Sequence, residues 1–386
     1  MTYAYDLAVI IGRFQPLHLG HLSLFRQAAR LAPRCGVLLG SAERSRNIEN
    51  PFIVAERRIM IEMALEETAA EEDVALPMLA FEGVNDFLYN DQRWAVRVQT
   101  CVASILQRFG LEADARICLV GHRKDASTEA YLKMFPQWET HSAPAVDVLS
   151  ATDIRRHWLD VPGDLPDVSG IQDPEHAELV LTSAIQRALE GPDAVGRMAH
   201  LRANLKPSTI AMLLEFQKRP EFARLVEERC FIRQYRRQFA SLPYPPTFQT
   251  VDAVVVQSGH VLLVRRRAMP GKGLWALPGG FVHPTETLRS AMMRELREET
   301  RLKIPEPVLR GSIRAHQVFD YPKRSLRGRT FTQAYFIMLA DGPLPPVKGG
   351  DDALKARWFP ISEVAQMSAM LFEDHYDILD YFVGLG

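Results

Sequence analysis

The stretch GFVHPTETLRSAMMRELREETRL, from Gly280 to Leu302, limits the fold of this chain more than any other. It follows LWALPG, an apolar run ending on Pro278 and Gly279 that reads as a strand entering a glycine turn. Thr287 is a natural helix N-cap, and good helix formers follow it. On that helix Glu295, Glu298 and Glu299 stand at i, i+3 and i+4, so their carboxylates cluster. Leu288, Met292, Glu295 and Glu299 fall near one stripe, so the face that should meet the core turns acidic in its second half. Buried carboxylates are costly unless paired or bound to a cation. Two readings follow. Either this is a solvated helix whose acids pair with Arg294, Arg297 and Arg301, or it is a cluster of hard oxygens suited to Mg²⁺ bridging protein and phosphate.

The fixed upstream Gly280 and Glu286 favour the second reading. The spacing resembles the Nudix box: Gly, five residues, Glu, seven residues, then Arg-Glu-apolar-x-Glu-Glu-x-Gly-apolar. Gly280, Glu286, Arg294, Glu295, Leu296, Glu298, Glu299 and Leu302 match. The resemblance implies hydrolysis of a nucleoside diphosphate linked to another moiety. It implies that Glu295, Glu298 and Glu299, with Gly279, hold Mg²⁺ or Mn²⁺, that Glu298 and Glu299 are catalytic, and that Glu286 stands behind them. One position departs. Arg301 occupies the place of the box's second glycine, where a left-handed turn ends the helix at a cost of about 1 kcal/mol to any other residue.

At 386 residues the chain is long for one domain, and two is the natural expectation. A net charge of −1 gives no electrostatic footprint for nucleic acid or an acidic membrane. Cys35, Cys101, Cys118 and Cys230 lack metal-ligand spacing and read as reduced, packed thiols of a cytoplasmic protein. The N-terminus shows no basic region followed by an apolar stretch, and no apolar run approaches membrane-spanning length.

Leu7 to Ile11 is a short apolar run, read as a buried strand. It leads into GRFQPLHLGH, Gly12 to His21, and then LSLFRQAARLA at helical period. Strand, glycine turn and helix in that order open a nucleotide-binding α/β domain. The turn carries Arg13, Phe14 and two histidines, His18 and His21, flanking Gly20. A helix N-terminus attracts phosphate, and histidines there can stabilise charge building on a pentavalent phosphorus. Farther on, LSATDIRRHW reads as a helix start with Ser150 and Asp153 as an S-x-x-D capping box, which puts Thr152 and Arg155 in its first turn.

Together these resemble the paired signatures of the HIGH-motif nucleotidyltransferases. His18, Gly20 and His21 take the His-x-Gly-His positions, and Ser150, Thr152 and Arg155 the Ser-x-Thr-x-x-Arg positions. The resemblance implies transfer of a nucleoside monophosphate to a phosphate-bearing acceptor, with release of pyrophosphate. Three intervening motifs resemble the nicotinamide mononucleotide adenylyltransferases. They are NPF (Asn50, Pro51, Phe52) with Glu56-Arg57, FLYNDQRW with Tyr89, Asn90, Asp91 and Trp94, and VGHRKDASTEAYLKMFPQW with Gly121, His122, Lys124 and Asp125. This likeness runs over about residues 5 to 158. It implies His18, His21 and Arg155 as catalytic residues. It implies Gly12, Arg13, Phe14, Asn90, Trp94, Gly121, Lys124, Asp125, Ser150 and Thr152 as substrate-binding residues. Trp94 either stacks on a pyridinium ring or packs in the core. Lys124 either holds phosphate or is a solvated surface lysine.

VPGDLPDVSGIQDPE reads as an irregular loop, and HAELVLTSAIQRALE and STIAMLLEFQKRPEFARLVEERCFIRQYRRQF as amphipathic helices. SLPYPPTF, with three prolines, reads as a hinge. The expected organisation is a nucleotidyltransferase domain over 1–185, a helical linker over 186–245 and a Nudix hydrolase domain over 246–386. VDAVVVQSGHVLLVRRR reads as a hairpin around Ser258-Gly259, and a strand is expected from Phe331 to Leu339. Arg324, Arg327 and Arg329 form a basic loop, either forked onto phosphate or carboxylate oxygens or simply mobile; Arg327 and Arg329 are the substrate-binding candidates. The Nudix resemblance implies an acid outside the box as general base, for which Asp351 or Asp352 is the candidate. RSLRGRTFTQAY and GGDDALKARW resemble the ADP-ribose pyrophosphatase branch.

The expected fold is therefore α/β: an N-terminal Rossmann-like nucleotidyltransferase domain with a parallel sheet, and a C-terminal Nudix α/β/α sandwich with a mixed sheet. The whole chain resembles the bifunctional nicotinamide mononucleotide adenylyltransferase/ADP-ribose pyrophosphatases. That implies ATP, nicotinamide mononucleotide, NAD and ADP-ribose as small-molecule partners and Mg²⁺ or Mn²⁺ as cofactor. It implies no nucleic-acid or membrane partner and leaves a homo-oligomer open. Two other readings of the second domain stay open: a sensor that binds ADP-ribose or NAD without cutting, and a hydrolase of another dinucleotide such as NADH.

Overall fold

In the computed structural model the chain divides into two compact units, Met1–Cys230 and Phe231–Gly386. The residues described are 3–73, 75–122, 132–144, 146, 148–161, 165–166, 168, 171, 173–350 and 353–385.

In the first unit β1 (Leu7–Gly12), β2 (Arg34–Leu39), β3 (Met78–Gly83), β4 (Ile117–Gly121) and β5 (Glu139–Ser142) form a parallel sheet ordered β3-β2-β1-β4-β5. Leu7, Ala8, Val9, Ile10, Val37 and Leu38 are fully buried, as strands covered on both faces must be. The crossover helices are Leu19–Leu31, Val54–Glu72 and Asp91–Arg108. The chain leaves β1 for β2 and β3 on one side and takes up β4 and β5 on the other, so the order reverses between β1 and β4. Open parallel sheets bind ligands at such a point, outside the carboxyl ends of the strands. Gly12 and Gly121 mark those ends here.

Helices Ala151–Leu159, Pro174–Leu189, Ala194–Asn204, Pro207–Phe216 and Pro220–Arg237 follow. Trp158 packs on two of them and on Phe52: its ring centroid lies 5.4 Å from Phe52, 5.7 Å from Phe216 and 5.1 Å from Phe222. Arg229 forks onto Asp160 at 2.9 and 3.0 Å. As far as Cys230, then, the stretch expected as a linker is largely helix packed within the first unit.

The second unit holds a mixed sheet of β6 (Thr247–Gln257), β7 (His260–Arg266), β8 (Trp275–Ala276), β9 (Gly279–Phe281), β10 (Ile313–Phe319), β11 (Arg329–Met338) and β12 (Ala353–Pro360). Its main path is β10-β11-β6-β7-β12, with β8 on β7 and β9 on β6. β11 and β6 pair in parallel and the other pairs are antiparallel. β6 and β7 form the expected hairpin. Ser258 and Gly259 turn it at φ 46° and 70°, the positive values a two-residue hairpin loop needs to match strand twist. The expected strand begins earlier than Phe331, at Arg329, and ends at Met338. The helix Leu288–Thr300 buries Ala291, Met292, Met293 and Leu296 against Val251, Val255, Leu262, Val264 and Trp358. No helix among the described residues is long and apolar enough to cross a membrane. All four cysteines are buried and outside any disulfide.

Candidate active sites

The first site builds outward from the end of β1. Phe14 turns the chain at φ 50° and is buried. Gly12 leaves room for it, since a Cβ there would stand 2.8 Å from the Phe14 ring. His18 sits at the N-cap of the helix Leu19–Leu31, and its ring stacks on His21 with centroids 3.7 Å apart. A Cβ on Gly20 would press to 2.9 Å of the His18 ring, so each glycine of the turn makes space for one ring. His21 meets Phe14 edge-on at 4.9 Å, and its Nδ1 accepts the His18 N–H at 3.3 Å. With Nδ1 accepting, the neutral His21 ring carries its proton on Nε2, a donor for phosphate oxygen. His122, just after β4, brings a third imidazole: its Nε2 lies 3.0 Å from Gly20 O and 3.4 Å from Ser23 Oγ.

Two buried arginines hold this turn from behind. Arg155 donates from Nη1 to Gln15 O at 2.6 Å, from Nε to Ile48 O at 3.1 Å and from Nη2 to Thr152 Oγ1 at 3.2 Å. Arg57 donates from Nη1 to Arg13 O at 2.8 Å and Gly40 O at 2.7 Å, while its Nε and Nη2 have no partner among the described residues. Burial lowers both guanidinium groups to about 10. The resemblance implies Arg155 as a catalytic residue and Thr152 as a substrate-binding one. In the structure their hydrogen bonds run to each other and, from Arg155, to backbone carbonyls.

The other expected residues divide. Ser150 caps the helix Ala151–Leu159, accepting the Asp153 N–H at 3.2 Å and donating to Asp153 Oδ2 at 2.7 Å. Asn90 caps the helix Asp91–Arg108 through the Arg93 N–H at 3.0 Å. Trp94 packs against the core beside Phe135, ring centroids 5.8 Å apart. Gly121 ends β4 and accepts the Ala143 N–H at 2.9 Å. Lys124 and Asp125 lie outside the described residues.

In the second unit a cavity of about 380 Å³ opens beside the helix Leu288–Thr300. Thr287 caps that helix by accepting the Ser290 N–H at 3.2 Å. Glu295, Glu298 and Glu299 all line the cavity, with Gly279, Gly280, Asp252, Arg266, Arg294, Arg327 and His375 among its other walls. Arg294 organises the acids. It donates to Glu286 at 2.7 and 3.1 Å, to Glu295 at 2.8 Å, to Glu298 at 3.0 Å and to Phe281 O at 3.2 Å. This pairing holds Glu286 down to about 2. Glu299 is different: it is buried, accepts the Gly279 N–H at 2.9 Å and forms no salt bridge among the described residues. Burial pushes its carboxyl up to about 8.

The two glycines of β9 lie close against the site, Gly279 on fixed backbone and Gly280 on the movable end of the Glu295 side chain. A Cβ on Gly280 would fall 2.5 Å from Glu295 Oε1, and one on Gly279 would strike Val251 O. As they stand, no three His, Cys, Asp or Glu side chains among the described residues form a metal-holding group. Arg294 draws Glu295 and Glu298 to itself. The donor set nevertheless fits a hard divalent cation: three carboxylates share one cavity, and Glu299 lacks a side-chain counter-charge in direct contact.

Residues 9–157 match the family model described as Cytidylyltransferase-like, and residues 246–382 match the NUDIX domain. The nicotinamide/nicotinic acid mononucleotide adenylyltransferase of Acinetobacter baylyi is 36% identical over 159 residues, covering 41% of this chain and 78% of that protein. The ADP-ribose pyrophosphatase of Methanocaldococcus jannaschii is 34% identical over 131 residues, covering 34% of this chain and 70% of that protein. A crystal structure of a bifunctional NMN adenylyltransferase/ADP ribose pyrophosphatase from Francisella tularensis spans both halves. It is 31% identical, covers 99% of this chain and 100% of its own, and superposes with a TM-score of 0.80. The chain belongs to this bifunctional family. The Francisella tularensis protein in complex with AMP and a Mn ion is 30% identical with a TM-score of 0.79.

Within this bifunctional NMN adenylyltransferase/ADP-ribose pyrophosphatase family, Arg301 shows how a departure from the box is absorbed. It keeps the left-handed conformation, φ 54° and ψ 24°, and its N–H still closes on Arg297 O at 2.9 Å. The helix's last carbonyls are taken by the following loop, Thr300 O by Lys348 N–H at 2.9 Å and Glu299 O by Gly350 N–H at 3.1 Å. Gly350 accommodates the Arg301 side chain, since a Cβ there would stand 2.5 Å from its Nε. Replacing Arg301 with glycine relieves the backbone strain and is expected to stabilise the second unit by about 1 kcal/mol, read as a rise in its thermal transition.

The basic loop separates into three roles. Arg324 is buried and forks onto Asp374 at 2.8 Å on both oxygens. Arg327 lines the cavity, its guanidinium 4.9 Å from the centre of the Phe281 ring. Arg329 lies off the cavity, over Phe331 at 4.6 Å and bonded to Asp320 O at 2.5 Å, because its place at the start of β11 faces that neighbour. Asp351 and Asp352 lie outside the described residues. Asp252, Arg266 and His375 line the cavity without having been singled out. A charged residue inside the apolar run VDAVVV was the available signal for Asp252; no local pattern marks His375.

Proposed function

We propose that the first unit joins ATP and nicotinamide mononucleotide to give NAD and pyrophosphate, and that the second hydrolyses ADP-ribose to AMP and ribose 5-phosphate. On this reading the transferase occupies 1–185 and the hydrolase 246–386. The phosphate of the mononucleotide attacks the α-phosphorus of ATP in line, and pyrophosphate leaves. Positioning and charge stabilisation dominate such a step. The observation that supports it is the stacked pair His18 and His21 at a helix N-terminus beside the reversal of strand order. His21 Nε2 donates to the triphosphate, and Arg155 and Arg57 keep the turn in shape.

In the second unit Glu295, Glu298 and Glu299, with Gly279 beside them, would hold a divalent cation, Mg²⁺ or Mn²⁺, which supplies an activated water and neutralises the diphosphate. Gly279 and Gly280 seat the carboxylates, and Arg266 and Arg327 offer guanidinium groups to phosphate oxygens from the cavity wall. The buried thiols fit a reducing cytoplasm. The names of the family members favour cutting of ADP-ribose over the sensor reading or the NADH reading. The deciding experiment incubates the purified chain with Mg²⁺ and ADP-ribose and follows AMP by chromatography, with NAD formation from ATP and nicotinamide mononucleotide in parallel. AMP release supports the reading; tight binding of ADP-ribose without release would replace it with the sensor.

A further inference from the structure

We propose that His375 is a positioning residue for the hydrolytic site, holding through its imidazole Nδ1 the strand end that seats Glu299. The inference rests on the hydrolytic reading above. His375 is buried at the start of the helix His375–Val383, far along the chain from the acidic helix. Its Nδ1 accepts the Leu277 N–H at 2.8 Å. Pro278 follows, its carbonyl accepting the Ala253 N–H at 2.8 Å. Gly279 comes next and donates its N–H to Glu299 Oε2 at 2.9 Å. Three consecutive residues thus connect the imidazole to the buried carboxylate, and each is fixed by a hydrogen bond.

The imidazole is itself held. An acceptor at Nδ1 places the neutral ring's proton on Nε2. Nε2 faces Asp252 Oδ1 at 3.9 Å, and the other oxygen of Asp252 accepts the Thr332 hydroxyl at 2.5 Å. The neighbouring Asp374 is gripped by both arms of Arg324, whose Nη2 also stands 4.0 Å from Asp252. Phe372 N–H reaches Trp275 O at 2.8 Å, so the segment leading to His375 is pinned to β8 as well. Burial disfavours the charged ring, against Asp252, Asp374 and Glu373, which favour it; Arg324 works with burial. The neutral form is the one that keeps the Nδ1 acceptor.

A purely structural histidine and a positioning one answer differently to substitution. Asparagine carries an acceptor oxygen where histidine carries Nδ1; glutamine reaches instead to the place of Nε2; leucine offers neither. The full chain is prepared as H375N, H375Q and H375L. Each is assayed for ADP-ribose hydrolysis, for Mn²⁺ binding by calorimetry, for thermal unfolding and for adenylyl transfer as the internal reference. Partners of metal ligands typically contribute 10- to 100-fold, so H375L and H375Q should lose roughly that much in kcat or in Mn²⁺ affinity, with KM for ADP-ribose little changed. H375N should recover most of the loss, and adenylyl transfer should stay at the parent level in all three. Equal behaviour of H375N and H375Q, or a parent-like H375L, overturns the assignment. So does a loss that follows only a lowered unfolding transition. Should the parent chain itself release no AMP, the hydrolytic reading fails, and the order of Mn²⁺ affinities among the three variants still decides the role of His375.

Discussion

Glu299→Gln is expected to lower ADP-ribose hydrolysis by roughly two to three orders of magnitude while adenylyl transfer continues at the parent rate. Glu299 is the buried carboxylate of the cluster, its one described hydrogen bond coming from the Gly279 N–H at 2.9 Å. Glutamine has the same shape and can still accept that bond through its amide oxygen. What it lacks is the negative charge that a divalent cation requires. Because burial pushes the metal-free Glu299 carboxyl up to about 8, it is largely uncharged near neutrality, and exchange for the isosteric amide should leave the unfolding transition of the second unit little changed. Rates of AMP and NAD formation on one preparation check the claim. If both fell together in a folded chain, the two-site picture would be wrong.

His21→Ala should reduce kcat for NAD formation by roughly two to three orders of magnitude, with ADP-ribose hydrolysis untouched. The ring of His21 is fixed by the stack with His18 at 3.7 Å and by Phe14 at 4.9 Å, so its Nε2–H is aimed before substrate arrives. A donor that is already oriented acts on charge developing at phosphorus without reorganising. Alanine removes both the donor and the stack. His21→Gln, whose amide nitrogen reaches about as far as Nε2, should restore part of the rate. Near-parent turnover of the alanine variant would refute the role.

What could be seen in the sequence is what chain-local physics controls. The Thr287 cap and the Ser258-Gly259 turn each depend on residues within a few positions and appear where expected, and the helix spacing brings Glu295, Glu298 and Glu299 to one cavity. Arg155 stands in the first turn of its helix, as the capping box implies, yet the backbone carbonyls it bonds lie at Gln15 and Ile48, more than a hundred positions away. His375 and Leu277 are 98 positions apart, and nothing near either one announces the other. Arg324, Arg327 and Arg329 look alike as a basic loop, but one is buried on Asp374, one faces the cavity and one lies over Phe331. Their partners separate them, and those of Arg324 and Arg327 lie distant along the chain or across the cavity.

The arginines behind the first unit's turn have a consequence for how that site responds to its surroundings. Arg57 and Arg155, both lowered only to about 10, remain cations from mildly acid to mildly alkaline solution. They face backbone carbonyls and touch no carboxylate among the described residues. The turn is therefore bathed in a constant positive field, like a permanent bias voltage set by the scaffold. That charge does not vary near neutrality, so a change of anion capture with acidity there has to arise from other groups, the substrate's own phosphates among them.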